Sequence, residues 1–215
     1  MPRRAKPSPP SVALFVRHGQ TPTTGAVLPG RAPGLHLADA GREQAQAAAD
    51  RLAKVKNVAA VYASPLERTR ETAAPIAKAL GLRVHVDKGL LECDFGEWTG
   101  RPLKELMKLP EWRAVQRYPS SFRFPGGESF SEMQTRITDT VSRLGHKHPG
   151  QAIVLVSHAD PIKAAVAHAL GTHIDLFQRI VISPCSVTAI AYGELSPVVL
   201  TVNSTSSGLD GLAPS

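Results

Sequence analysis

Arg17, His18 and Gly19 follow without transition on an apolar run, VALFV at 12–16. Two further segments repeat that design. Ser64-Pro65-Leu66-Glu67-Arg68 follows VAAVYA (58–63), and Ser157-His158-Ala159 follows AIVLV (152–156). A fourth stretch, LLECDFGEWTG (90–100), sets Glu92 after an apolar pair in a glycine-punctuated loop. The chemistry on offer is two imidazoles, two guanidiniums and a carboxyl group. Arginine presents a planar, multi-donor fork that suits phosphate. Histidine is a competent covalent nucleophile toward phosphoryl groups. A carboxyl group held near neutrality can give a proton and take it back. No HExxH pattern or cysteine cluster accompanies these residues, so they point to phosphate chemistry rather than to a metal site.

Taken singly, each residue has a plainer reading. A lone histidine after a buried strand is more often structural than catalytic, and Arg68 alone reads as a solvated surface arginine. Yet Arg68 falls in the first turns of a predicted helix, where a cation is unfavourable by about 0.3–1 kcal/mol. An anion between Arg68 and the sheet edge would remove that penalty. The same anion would be held by helix N-terminal amides near His158. Two guanidiniums beside His18 disfavour its imidazolium, and a bound phosphate dianion pushes the other way.

The elements that must position these groups alternate along the chain. Strands are expected at 12–17, 58–64, 83–87 and 152–158, with late strands at 186–193 and 198–202. Helices are expected from Asp39 to about Val55, over 64–81, over 103–108 up to the break at Pro110, over 128–148 and over 160–171. In the 64–81 helix Ser64 is the expected N-cap, Pro65 the first position, Glu67 the capping-box partner and Gly81 the terminator. Asp160 and Pro161 play the matching parts at the start of the 160–171 helix. Phe130, Met133, Ile137, Val141 and Leu144 recur at helical spacing along one face. The alternation predicts an α/β fold with three α/β/α layers around a mostly parallel central sheet. In such sheets ligands bind outside the carboxyl ends of the strands, where His18, Arg68 and His158 fall. The domain is expected over 12–202, between a disordered basic tail (1–11) and a flexible C-terminal tail (203–215).

Composition narrows the class. At 215 residues, 42% hydrophobic and 20% charged, the chain is an ordinary globular sequence with no window long and apolar enough to span a membrane. Its two cysteines make neither a disulfide framework nor a zinc signature, which fits a cytoplasmic setting. The net charge of +7 attracts anions, but aromatics at 5% are not interleaved with the basic residues as a nucleic-acid stacking platform requires. The expected partner is a small-molecule phosphomonoester, with no nucleic acid, no membrane and no cofactor.

The quoted motifs carry a resemblance. RHGQT (17–21), SPLERTRETA (64–73), LLECDFGEWTG (90–100), PGGES (125–129) and VSHADPIKA (156–164) stand in the order and spacing of the histidine phosphatase superfamily, the phosphoglycerate-mutase-like proteins. LADAGREQA (37–45) is similar to a further family stretch. RHG alone is a tripeptide that chance supplies often, whereas the ordered set is specific and covers roughly 12–202. The resemblance implies that His18 is the nucleophile that becomes phosphohistidine. It implies that Arg17, Arg68 and His158 complete the phosphate pocket, and that Glu92 protonates the leaving oxygen and then activates water. Thr21 and the Ala159 amide are further candidates for phosphate contacts. Many members carry an asparagine a few residues after RHG. Here no asparagine lies between His18 and Arg42, so Thr23 or Thr24 is the expected substitute, with Gly30 letting backbone approach the ligand. The family's habit implies a homodimer.

The remaining candidates read as structural. Asp94 and Glu97 are loop carboxylates, with Glu97 also placed to tune the site. Glu128 and Ser129 read equally as a helix start and as support for the site. Cys93, Trp98 and Trp112 read as packing residues, and Arg31, His36 and Arg101 as surface. Histidines 85, 146, 148, 168 and 173 have no motif around them. The compact stretch from GEWTGRPLKEL to PGGES resembles the phosphatase branch. A phosphomutase, a noncatalytic phosphate binder and a nucleic-acid binder are the alternatives.

Overall fold

A computed structural model describes residues 9–205. Strand β1 (Ser11–Arg17) is followed by α1 (Asp39–Leu52), β2 (Val58–Ala63), α2 (Glu67–Leu80) and β3 (Val84–Val86). Two short helices, α3 (Leu103–Leu106) and α4 (Trp112–Arg117), precede the long α5 (Phe130–His146). Then come β4 (Ala152–Ser157), α6 (Ala159–Ala169), β5 (Val187–Tyr192) and β6 (Val198–Ser204). The strands form one six-stranded sheet in the order β3-β2-β4-β1-β5-β6. Pairing is parallel from β3 through β1, and β5 and β6 add an antiparallel edge. The fold is the expected three-layer α/β arrangement.

Strand periodicity sorts the core into two layers. Ala13 and Phe15 of β1, with Ile153 and Leu155 of β4, face the side covered by α5 and α6. Leu14, Val16, Val154 and Val156 face α1 and α2 on the other side. Helices cover both faces of β4, which explains why every residue of that strand is buried and why its sequence runs apolar without a break. The predicted stripe on α5 is buried at Phe130, Met133, Ile137, Val141 and Leu144. Ser129 caps that helix in a complete capping box with Glu132.

Local predictions fail at several ends. Helix α2 starts at Glu67, with Leu66 at the N-cap position and no side-chain cap, so Ser64 is not its cap. Helix α6 starts at Ala159 behind His158, and the Asp160 carboxylate pairs with Lys163 at 3.2 Å instead of capping. The 103–108 helix is a single turn, and α4 was not anticipated. Strand β1 begins at Ser11 and β6 reaches Ser204, inside the expected tails. The rest of those tails lies largely outside the described residues.

Candidate active site

Register places the signature residues abreast. Arg17 pairs with Ser157 across β1 and β4, and Ala63 of β2 pairs with Val156. The His18 amide donates to the Ser157 carbonyl at 3.0 Å, and the Ser64 amide to the Val156 carbonyl at 3.0 Å. The carboxyl ends of β1, β4 and β2 therefore deliver His18, His158 and Ser64 to one edge. Helix α2 returns Arg68 to the same place.

His18 is buried, and its Nδ1 lies 2.8 Å from the Gly19 carbonyl oxygen. A carbonyl only accepts, so Nδ1 carries the proton and Nε2 keeps its lone pair. The His158 ring lies edge-on to His18 with centroids 5.2 Å apart. An Arg68 Nη2 donor stands 3.4 Å from His158 Nδ1, so that nitrogen is the acceptor. His158 Nε2 then donates to Ser64 Oγ at 3.0 Å. This is the role of Ser64 that capping logic missed. Its partner lies 94 residues away in sequence, and local pattern carries no signal of it.

Arg68 is fully buried and donates from Nη2 to the Gly30 carbonyl at 2.6 Å. Among the described residues its Nε and Nη1 have no partner, and neither does Arg17 Nε. Arg17 is anchored at its other end, where Nη1 donates to the Ile182 carbonyl at 2.7 Å. Buried donors are ordinarily satisfied, so these three are available to donate to an acceptor such as an anion's oxygen. The expected surface reading of Arg68 alone is wrong, because the bulk of the 64–73 segment packs into the sheet and takes the guanidinium with it.

The site's electrostatics suit nucleophilic attack. Burial, followed by Arg68 and then Arg17, pushes the His18 pKa down to about 3. Burial and Arg68 hold His158 well below its usual value. Both imidazoles are therefore neutral near pH 7. Glu92 moves the other way, to about 7, through burial first and repulsion from Asp160 second, against the pull of the Cys93 amide, Arg68 and Arg17. The Cys93 amide donates to Glu92 Oε1 at 2.9 Å and fixes the carboxyl group.

The weaker candidates have defined local settings. Thr24 Oγ1 accepts from the Thr21 amide at 2.8 Å and bonds the Thr21 hydroxyl at 3.0 Å, so both hydroxyls shape the turn after β1. Gly30, at φ +52°, offers Arg68 its carbonyl, and a Cβ there would meet Thr99 Oγ1 at 2.7 Å. Ala159 opens α6, whose first amides have no intrahelical partner by construction. Cys93 is buried, and Trp98 stacks on Trp112, as packing residues should. Sequence reasoning also missed Thr72, which accepts from the Gly19 amide at 3.0 Å and donates to the Arg68 carbonyl at 2.7 Å. Among the described residues no His, Cys, Asp and Glu side chains group as a metal site would require.

The sheet edge gathers two neutral imidazoles, two anchored arginines and a protonatable carboxyl group, a set whose chemistry suits an oxyanion. The chain belongs to the histidine phosphatase superfamily, branch 1, whose profile matches residues 13–205. It is 32% identical over 197 residues to a protein named phosphoserine phosphatase 1 from Hydrogenobacter thermophilus, covering 89% of this chain and 92% of that one. A bifunctional protein of Mycobacterium tuberculosis is 36% identical over 200 residues, covering 91% of this chain and 54% of its own length. The chain thus spans about half the length of such mycobacterial relatives. The solved mycobacterial glucosyl-3-phosphoglycerate phosphatase superposes with a TM-score of 0.81 at 26% identity, covering 90% of this chain and 99% of that one.

Proposed function

We propose that this protein is a metal-independent phosphomonoesterase that works through a phosphohistidine at His18. Its substrate is a small phosphorylated metabolite. The observation that carries this reading is the buried Arg68, whose Nε and Nη1 have no partner among the described residues, near the His18 imidazole, whose Nδ1 is tied and whose Nε2 keeps its lone pair. The relatives named as phosphoserine and glucosyl-3-phosphoglycerate phosphatases support it.

The chemistry balances as two displacements. His18 Nε2 forms a bond to phosphorus while the ester P–O bond breaks, and the proton on Glu92 goes to the departing oxygen. Water then attacks the phosphohistidine, the Glu92 carboxylate takes its proton, and the P–N bond breaks to release phosphate. Arg17 and Arg68 supply the positioned positive charge that phosphoryl transfer needs around the non-bridging oxygens. Phosphate release from a panel of monoesters, assayed with chelator present, should persist in the wild type and vanish in His18→Ala. Release from no ester, or release that depends on added divalent metal, would overturn the reading. Transfer between two metabolites in place of release would assign a phosphomutase.

A further inference from the structure

The carboxyl group of Glu92 lies within the electrostatic influence of Arg68 and Arg17, while its backbone is held by a separate device. Arg136 of α5 donates from Nη1 to the carbonyls of Gly89 at 2.9 Å and Leu91 at 2.8 Å, and from Nη2 to that of Glu92 at 3.3 Å. Arg31 Nε donates to the same Glu92 carbonyl at 2.8 Å. The two guanidiniums are locked together by Glu128. Its carboxylate accepts two bonds from Arg136, both at 2.8 Å, and one from Arg31 at 3.0 Å. Side-chain exposure of 14% for Glu128 and 21% for Arg136 takes this cluster out of the class of solvated surface pairs.

Arg31 has a second consequence by its place in the chain. It directly follows Gly30, whose carbonyl holds Arg68 Nη2 at 2.6 Å. One dipeptide therefore touches the phosphate-binding arginine through its first residue and the backbone of the acid through its second. We propose that Arg31, with Arg136 and Glu128, is a positioning clamp that sets the proton-donating carboxyl of Glu92 in register with the phosphate held by Arg68. The proposal rests on Glu92 acting as the general acid. A leaving group that departs easily needs little protonation, and an alkoxide needs much, so misplacing the acid must cost most on alkyl esters.

The test compares kcat/KM for p-nitrophenyl phosphate and for a simple alkyl phosphate, at pH 6, in wild type, Glu92→Gln, Arg31→Lys and Arg136→Lys. Lysine keeps the charge but loses the fork that bridges several acceptors. Glu92→Gln should lose about 10²–10⁴-fold on the alkyl ester and far less on the aryl one. Each lysine variant should lose about tenfold or more on the alkyl ester beyond its loss on the aryl one, the scale expected for a small misplacement. Equal losses on both esters in the lysine variants, with Glu92→Gln still selective, would overturn the clamp and leave the acid in place. An unselective Glu92→Gln would overturn the acid assignment itself. Should Arg136→Lys fail to fold, Arg31→Lys, on the more exposed side of the cluster, decides alone.

Discussion

Arg68 is buried at the edge of the sheet and makes no ion pair among the described residues. Burial pulls its pKa down, and two of its nitrogens face no acceptor. A buried charge without an ion pair costs several kcal/mol, offset here in part by Glu92, Glu67 and the Gly30 carbonyl, so a bound anion would favour this arginine further. Arg68→Met should abolish phosphate release while leaving the melting temperature in anion-free buffer unchanged or higher. A thermal scan beside an activity assay checks both halves, and a large fall in melting temperature would show that the residue is structural. In the proposed mechanism Glu92 sets the pH dependence: it acts protonated, and with its pKa raised to about 7, kcat/KM should fall about tenfold per pH unit above that point, and Glu92→Gln should remove the limb. The stability term has a defined sign. The folded pKa stands above the ordinary value of 4.5, so the contribution of Glu92 is full below pH 4.5 and is lost as pH rises through 7.

Helix α1 reaches the site through its backbone. A Cβ on Gly41 would lie 2.1 Å from the Gln20 carbonyl oxygen, and one on Gly19 would lie 2.5 Å from the Gly41 carbonyl oxygen. The first turn of α1 thus packs against the loop that carries His18. Gly41→Ala should destabilise the fold by about 1–3 kcal/mol through overpacking and lower kcat as His18 shifts. Denaturant titration with kinetics tests this, and unchanged stability would mean that the loop gives way freely. At this scale much was legible in the residue order. The apolar run of β4, the stripe of α5 and the basic and imidazole residues at strand ends all follow from local periodicity. The errors share one cause. Ser64 and Asp160 look like caps from their neighbours alone, but a strand-edge hydroxyl finds a buried imidazole and an acidic side chain finds Lys163. Arg31 likewise looks like a surface residue, because the carbonyl and the carboxylates it holds lie far along the chain.

For the molecule as a whole, the site joins segments that the sequence keeps apart: the ends of β1, β2 and β4, the start of α2 and the loop around Glu92. An oxyanion bound there ties them together and stabilises only the folded state. Vanadate at about 100 times its dissociation constant should add about 2.7 kcal/mol, seen as a rise in melting temperature of about 5–11 °C, and Arg68→Met should erase the rise. A shift that survives in Arg68→Met would place the anion elsewhere. The strand order has a further consequence for how the molecule comes into being. Strand β4 enters between β1 and β2, although the whole of α5 and its preceding loops are made before it. Until it inserts, β1 and β2 have no shared neighbour and the middle of the sheet is an open slot with two unpaired edges. Such non-local parallel pairing is slow to form and exposed to association with other chains while it waits. The strand that closes the slot also brings His158 with it, so the chain gains its hydrophobic centre and the second imidazole of the proposed site in the same step, and a molecule without that strand in place lacks part of the site.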